Sequence, residues 1–243
     1  MNVLLIHNCI TEGFGLYETI LRPIASKVKA IHPYRGDLFP NVHGIDTVIV
    51  GGTPISAYHL GNHPFLQQEF SFLKEVIAAN VPCLGICFGA QLLSLALGGT
   101  VIRSPQKEIG VYEAELTESG TTDPSLKGFP RRFPVFQWHQ DTFSVPPNAE
   151  LLVTGRTCRN QMFRAGNAVG VQFHLETGSK EADSWCTAYA EELQSFGKRR
   201  DDISVECEAA EKQMALLAER MITNFSSLCI FPHRGGNLSR PEL

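Results

Sequence analysis

The stretch Val81-Pro82-Cys83-Leu84-Gly85-Ile86-Cys87-Phe88-Gly89-Ala90-Gln91 constrains the fold more than any other part of the chain. Val81 to Ile86 reads as a short buried strand. Gln91 to Leu97 reads as a helix that Gly98-Gly99 stops. Gly85 and Gly89 stand two residues before and two after Cys87. A strand turning sharply into a helix crowds its own backbone, and residues without a Cβ relieve that crowding. Such an elbow pushes the Cys87 side chain out at the carboxyl end of a sheet, where α/β proteins form their ligand sites. The following helix aims its dipole and free N–H groups at the sulfur, which favours a thiolate. The Phe88 N–H, next in sequence, is placed to bind an oxyanion. The competing interpretation is a small buried hydrophobe in a βα turn, a common fate of a free cysteine.

The rest of the N-terminal half repeats the strand and helix alternation. Val3 to Ile6 and Thr47 to Val50 read as strands, the second running into Gly51-Gly52. Phe14 to Ala25 reads as a helix disturbed at Pro23. Phe65 to Ala79 carries Leu66, Phe70, Leu73, Val76 and Ile77 on one helical face, with Pro64 suited to its first turn. This order predicts a parallel α/β sheet with helices on both faces. Residues 109–117, 133–138, 150–154 and 168–174 read as further, partly antiparallel strands between Pro and Gly turns. Ser179 to Phe196 reads as a helix and Lys198 to Asp202 as a charged linker. Ala210, Met214, Leu217, Met221 and Phe225 predict one long amphipathic helix, and 232–243 a loose tail. A single domain over 1–231 is expected, with its core in 1–177 and a helical C-terminal segment in 178–231.

A thiol with a pKa near 8.5 is only a few per cent ionised at neutral pH, so Cys87 needs a base. Of eight histidines, His174 stands out. It follows the strand Val169-Gly170-Val171-Gln172-Phe173, and Glu176 comes two residues later. Period two places both side chains on one face of an extended segment, where the carboxylate can fix the imidazole's tautomer. A second polar cluster, Gln137-Trp138-His139-Gln140-Asp141, offers His139 as a rival base with Asp141 as its carboxylate; a structural or substrate-contact role is the alternative. No H-E-x-x-H or paired cysteine spacing points to a metal.

Bulk properties exclude several partner classes. A net charge of -4 provides no footprint for nucleic acid, and no apolar run is long enough to span a bilayer. The start Met1-Asn2-Val3-Leu4-Leu5-Ile6 lacks the basic region of a signal peptide, and seven irregularly spaced cysteines suit a reducing compartment. A cytoplasmic location is expected.

The motif Gly85-Ile86-Cys87-Phe88-Gly89-Ala90-Gln91 resembles the nucleophile motif G-x-C-x-G-x-Q of class I glutamine amidotransferases. Val171-Gln172-Phe173-His174-Leu175-Glu176 resembles their Q-F-H-P-E, with Leu175 in place of proline, and the spacing of 87 residues from Cys87 to His174 is typical of them. E-I-G-V at 108–111 and V-F-Q-W-H-Q-D-T-F at 135–143 resemble the stand-alone, GMP-synthase-like members. The resemblance covers residues 1 to about 177. It implies a flavodoxin-like, doubly wound, mostly parallel sheet and a triad of Cys87, His174 and Glu176. It also implies an oxyanion site made by the N–H groups of Phe88 and Gly52, with Thr53 as the alternative to Gly52. Substrate contacts are implied at Gln91 and in the 138–141 loop (Trp138, His139, Gln140, Asp141), where many relatives carry Gly at the position of Gln140.

The implied reaction is glutamine hydrolysis through a γ-glutamyl thioester, without a metal or organic cofactor. About 65 residues follow the resembling region, too few for an ATP-dependent synthase domain, so an ammonia acceptor would belong to a partner chain. Hydrolysis of γ-glutamyl peptides by the same triad and a non-catalytic module on the same fold are the alternatives.

Overall fold

The computed structural model describes residues 1–230; the tail expected over 232–243 lies outside them. The chain begins with β1 (Asn2–Ile6), α1 (Gly15–Ile24), β2 (Lys27–Ile31), β3 (Thr47–Val50), α2 (Pro64–Ala78), β4 (Cys83–Ile86) and α3 (Phe88–Ala96). It continues with β5 (Val101–Leu116), the short α4 (Glu118–Thr122), β6 (Arg132–Phe143), β7 (Glu150–Gly155), β8 (Met162–Ala165) and β9 (Ala168–Val171). Three helices close the described chain: α5 (Ser179–Ala188), α6 (Ala190–Phe196) and α7 (Arg200–Ile230).

The nine strands form one sheet in the order β2-β1-β3-β4-β9-β8-β7-β5-β6. From β2 to β9 every pairing is parallel; from β9 to β6 every pairing is antiparallel. This is a doubly wound α/β sheet extended by antiparallel strands on one side. Its parallel strands are apolar on both faces, as strands covered by helices on two sides must be. In β1, Val3 and Leu5 join the core that holds α1, α5 and α7, while Leu4 and Ile6 join the core that holds α2 and α3. Because β1 lies between β2 and β3, the strand order reverses there, and the carboxyl ends of β1, β3, β4 and β9 open side by side.

The C-terminal segment packs on its own domain. Ile203, Cys207, Met214, Leu217, Met221 and Phe225 of α7 are buried in the same core as Tyr17 and Leu21 of α1. Asn224 Nδ2 donates to the carbonyls of Ser125 and Lys127 at 3.1 and 2.9 Å. Among the described residues, no helix is long and apolar enough to cross a membrane.

Several elements differ from the sequence-based expectation. α3 starts at Phe88, directly after Cys87, not at Gln91. β2 is an edge strand with mostly exposed, lysine-bearing positions, so it lacks the apolar run that marks its neighbours. β8 is absent from that expectation as well, and β5 begins eight residues early, across an irregularity between Arg103 and Glu108. The segment 168–174 does not belong with the antiparallel strands alone: β9 closes the parallel half against β4 and ends at Val171. Residues 138–141 lie within β6 and are not a loop. The helix expected over 179–196 breaks at Tyr189, and Arg200 to Asp202 form the first turn of α7, where Asp201 and Asp202 suit the positive end of the helix.

Candidate functional site

The loops after β1, β3 and β4 meet in a cleft of about 460 Å³, with residues of β6 and α6 on its other side. Cys87 sits at the end of β4 with φ 52° and ψ -106°, a conformation that is strained for a residue with a Cβ. Its N–H donates to the Val171 carbonyl at 2.8 Å, and its carbonyl accepts from Ala90 and Gln91, each at 3.1 Å. The flanking glycines are demanded by packing. A methyl group on Gly85 would run into the Gly89 backbone, and one on Gly89 would run into the Val50 carbonyl. Small residues there let α3 lie directly on β4 and β3.

The sulfur accepts a hydrogen bond from Gln172 Nε2 at 3.4 Å. Gln172 is in turn held by Gln91, whose Nε2 donates to Gln172 Oε1 at 3.3 Å and to the Asp141 carbonyl at 2.9 Å. Gln91 therefore spends its amide N–H groups inside the protein while lining the cleft. Gln172 was missed by sequence reasoning. The period-two pattern of His174 and Glu176 extends back to it and could have found it.

His174 follows β9, and its backbone bridges to Phe136 of β6 through N–H···O bonds of 2.8 and 3.2 Å. Its Nδ1 lies 2.5 Å from Glu176 Oε1, and the Trp185 ring stands edge-on to the imidazole at 4.9 Å. The Glu176 carbonyl is pinned by the Leu16 N–H at 2.9 Å. With Nδ1–H given to the carboxylate, Nε2 carries the lone pair. Nε2 is buried and makes no hydrogen bond among the described residues, yet it lies close enough to the sulfur for each group to shift the other. Contacts of this kind are often long before substrate binds. Burial alone would lower the His174 pKa; the neighbouring Glu176 carboxylate and Cys87 sulfur outweigh it and hold the imidazole well above its ordinary value. Burial pushes the Cys87 thiol up, His174 pulls it down, and Glu12 and Glu176 push it up again.

Phe88 occupies the first position of α3, where a backbone N–H has no intrahelical acceptor. Gly52 faces it across the elbow: a methyl on Gly52 would stand 3.7 Å from Cys87 Cβ. Thr53 lines the same cleft one residue further on, with its hydroxyl accepting from the Ile55 N–H at 3.4 Å.

The β6 cluster divides into two roles. Trp138, His139, Gln140 and Asp141 all line the cleft. Both ring nitrogens of His139 are engaged, however: Nε2 meets Glu108 Oε2 at 2.9 Å and Nδ1 meets the Asp141 carbonyl at 3.0 Å. The carboxylate that orients His139 is thus Glu108 and not Asp141, which removes the rival acid–base pair. Trp138 Nε1 donates to Glu192 Oε2 at 2.9 Å, and Gln140 Nε2 to the Ser104 carbonyl at 3.3 Å. Ser56 Oγ donates to Asp141 Oδ2 at 2.5 Å, while Asp141 Oδ1 is buried without a hydrogen bond among the described residues. Arg103, opposite Asp141 in the β5–β6 register, lines the cleft and forms no ion pair among the described residues.

Glu108, His139 and Cys158 bring three potential metal-ligand atoms within 4.8 Å of one another. Glu108 Oε2 is already shared between His139 and Gln161 Nε2, the latter at 3.2 Å, so these side chains read as a closed hydrogen-bonded group beneath the cleft. Glu12 and Tyr189 also line the cleft, and neither was singled out from the sequence. They are 177 residues apart and carry no local pattern.

Residues 14–188 match the model of the family glutamine amidotransferase class-I. The chain is 34% identical over 179 residues to the glutamine amidotransferase-like protein YfeJ of Salmonella typhimurium, covering 70% of this chain and 75% of that protein. It is 38% identical over 179 residues to GMP synthase (glutamine-hydrolyzing) of Aeropyrum pernix, covering 70% of this chain but only 31% of the synthase. The structure superimposes on a crystal structure of a glutamine amidotransferase from Thermotoga maritima with a TM-score of 0.85 and 32% identity, over 93% of this chain and 97% of that one.

Proposed function

The chain belongs to the class-I glutamine amidotransferases, and from that premise we propose that it hydrolyses the side-chain amide of glutamine through Cys87, His174 and Glu176. The observation that carries this reading is the buried His174, with Nδ1 committed to Glu176 and Nε2 left open toward a cysteine on a strained elbow. His174 takes the Cys87 proton, and the thiolate attacks the γ-carbon of the amide. The resulting oxyanion is met by the N–H groups of Phe88 and Gly52, each such donor contributing about 3 kcal/mol to the transition state. The Gln172 amide on the sulfur favours the ionised form of the nucleophile. His174 returns its proton to the departing nitrogen, which leaves as ammonia. Water then attacks the γ-glutamyl thioester, the thiolate departs, and glutamate is released. No step calls on a metal or an organic cofactor.

Two unpaired charges of the cleft suit the amino-acid end of the substrate. Asp141 is a partner for an α-ammonium, and Arg103, across the β5–β6 ladder, for an α-carboxylate. Relatives named GMP synthase (glutamine-hydrolyzing) are about three times the length of the matched region, so any acceptor for the ammonia is assigned to a partner chain.

The test is glutamate release from glutamine by the wild-type protein and by Cys87→Ser, together with covalent labelling by an electrophilic glutamine analogue. Turnover lost in Cys87→Ser and a label confined to Cys87 are expected. Absence of both turnover and labelling in the wild type refutes the reading. Running γ-glutamyl dipeptides in parallel decides whether a substituent on the γ-nitrogen is accepted.

A further inference from the structure

Glu12 is a buried carboxyl in the cleft that the steps above do not use. It lies in the loop after β1 and is 8% exposed. Oε1 accepts a hydrogen bond from the Tyr189 hydroxyl at 3.0 Å. Oε2 takes part in no hydrogen bond among the described residues and lies against Gly52, where an added methyl would collide with it. That same methyl would stand 3.7 Å from Cys87 Cβ. Glu12 Oε2 and the nucleophile therefore flank one backbone unit, the unit whose N–H is proposed to meet the oxyanion. Both Glu12 and Tyr189 fall outside the 14–188 segment that matches the family. Tyr189 reaches the cleft because the C-terminal helix breaks there, between α5 and α6, with its ring 5.7 Å from Trp138.

The chemistry of this position depends on one proton. A carboxylate beside the oxyanion would repel it, and in a site shielded from water that repulsion is large. A carboxylic acid offers an O–H donor instead, as acids kept neutral by apolar burial do elsewhere. We propose that Glu12, resting on the glutaminase reading above, is a third oxyanion donor: its Oε2–H hydrogen-bonds the tetrahedral oxyanion while Tyr189 holds the carboxyl in place. No proton is transferred in this role; the hydrogen bond strengthens as charge develops on the oxygen and relaxes as the thioester forms.

The groups facing Glu12 fit this assignment. Burial pushes its pKa up to about 7; His174 and the Tyr189 hydrogen bond pull it down, and Glu176 and Glu192 push it up. Cys9, on the same loop, and Cys87 feel the Glu12 charge in turn. A carboxyl raised in this way is the acid below pH 7 and the anion above it, so turnover should fall as pH rises through that range.

The experiment is the pH profile of kcat/KM for glutamine hydrolysis, from pH 5.5 to 9, in wild type, Glu12→Gln, Glu12→Ala and Tyr189→Phe, with melting curves to show that each variant is folded. The wild type should lose activity on the alkaline side with a midpoint near 7. Glu12→Gln keeps an N–H donor and should lose that alkaline limb. Glu12→Ala should lower kcat on the order of 100-fold with KM little changed. Tyr189→Phe removes a bond that lowers the Glu12 pKa, so its alkaline midpoint should move upward. Alkylation of Cys87 by iodoacetamide at pH 6 forms no oxyanion and should proceed at the wild-type rate in Glu12→Gln. A Glu12→Gln profile that coincides with wild type, or a Glu12→Ala kcat that is unchanged, overturns this proposal and leaves the glutaminase reading standing. A wild type without turnover at any pH overturns both.

Discussion

Gly89→Ala probes the elbow where fold and chemistry share one contact. A methyl there would overlap the Val50 carbonyl oxygen and stand 3.0 Å from both the carbonyl carbon and the Cβ of Val50. Neither neighbour is a flexible side-chain end, so α3 must move off β3. Overpacking of this kind costs roughly 1–3 kcal/mol. For a chain of this size each kcal/mol lowers the melting temperature by about 2–4 °C, which predicts a drop of roughly 2–12 °C. The effect on catalysis should be larger. Val50 leads into Gly51-Gly52, and Gly89 follows Phe88, so the wedge sits between the two proposed oxyanion donors. A misplacement of about 1 Å can cost on the order of 100-fold in rate. Thermal melting and steady-state glutamine hydrolysis measure the two effects separately, and iodoacetamide alkylation of Cys87 checks that the nucleophile remains accessible. A Gly89→Ala protein with wild-type melting temperature and wild-type kcat would refute the packing argument and the placement of the oxyanion donors with it.

Other substitutions separate the remaining parts of the site. Glu176→Gln removes the carboxylate 2.5 Å from His174 Nδ1, and kcat should fall by at least about 100-fold with the melting temperature changed by only a few degrees; steady-state kinetics with calorimetric melting tests this. Arg103→Ala removes an unpaired cation from the cleft, so KM for glutamine should rise about 10-fold with kcat nearly constant, whereas an unchanged KM would exclude Arg103 from substrate binding. Glu69 lies far from this chemistry, on α2, where burial pushes its carboxyl up to about 8 against the lowering effect of the Asn8 hydrogen bond. Its folded pKa exceeds the unfolded one, so its favourable contribution is present below about pH 4.5 and is lost as pH rises toward 8, at roughly 1.4 kcal/mol per pH unit. Glu69→Gln keeps the Asn8 bond and should raise the melting temperature at pH 8 while leaving it nearly unchanged at pH 5; equal melting at both pH values would count against a buried, proton-bearing Glu69.

The parts of this protein legible in the sequence are those encoded by neighbours along the chain. The elbow at Cys87 needs only Gly85, Gly89 and the strand and helix patterns on either side, and the structure places Cys87 at φ 52° between β4 and α3. His174 and Glu176 are two residues apart, so the period of an extended segment suffices to bring their side chains together. The apolar runs of β1, β3 and β4 likewise announce a doubly wound sheet. Tertiary structure decided what depends on distant segments meeting. The carboxylate on His139 comes from Glu108, 31 residues earlier, and not from the nearby Asp141, because the β5–β6 ladder sets them face to face. Edge strand β2 hid behind its lysines. Glu12 reaches Tyr189 across 177 residues, because the strand-order reversal opens the loop after β1 beside those after β3 and β4 and the C-terminal helix breaks over the same cleft. Local spacing carries the geometry of a turn or a strand face, but it carries no information about which far segment will cover the site, since that is fixed only by how the helices bury their apolar faces on the sheet.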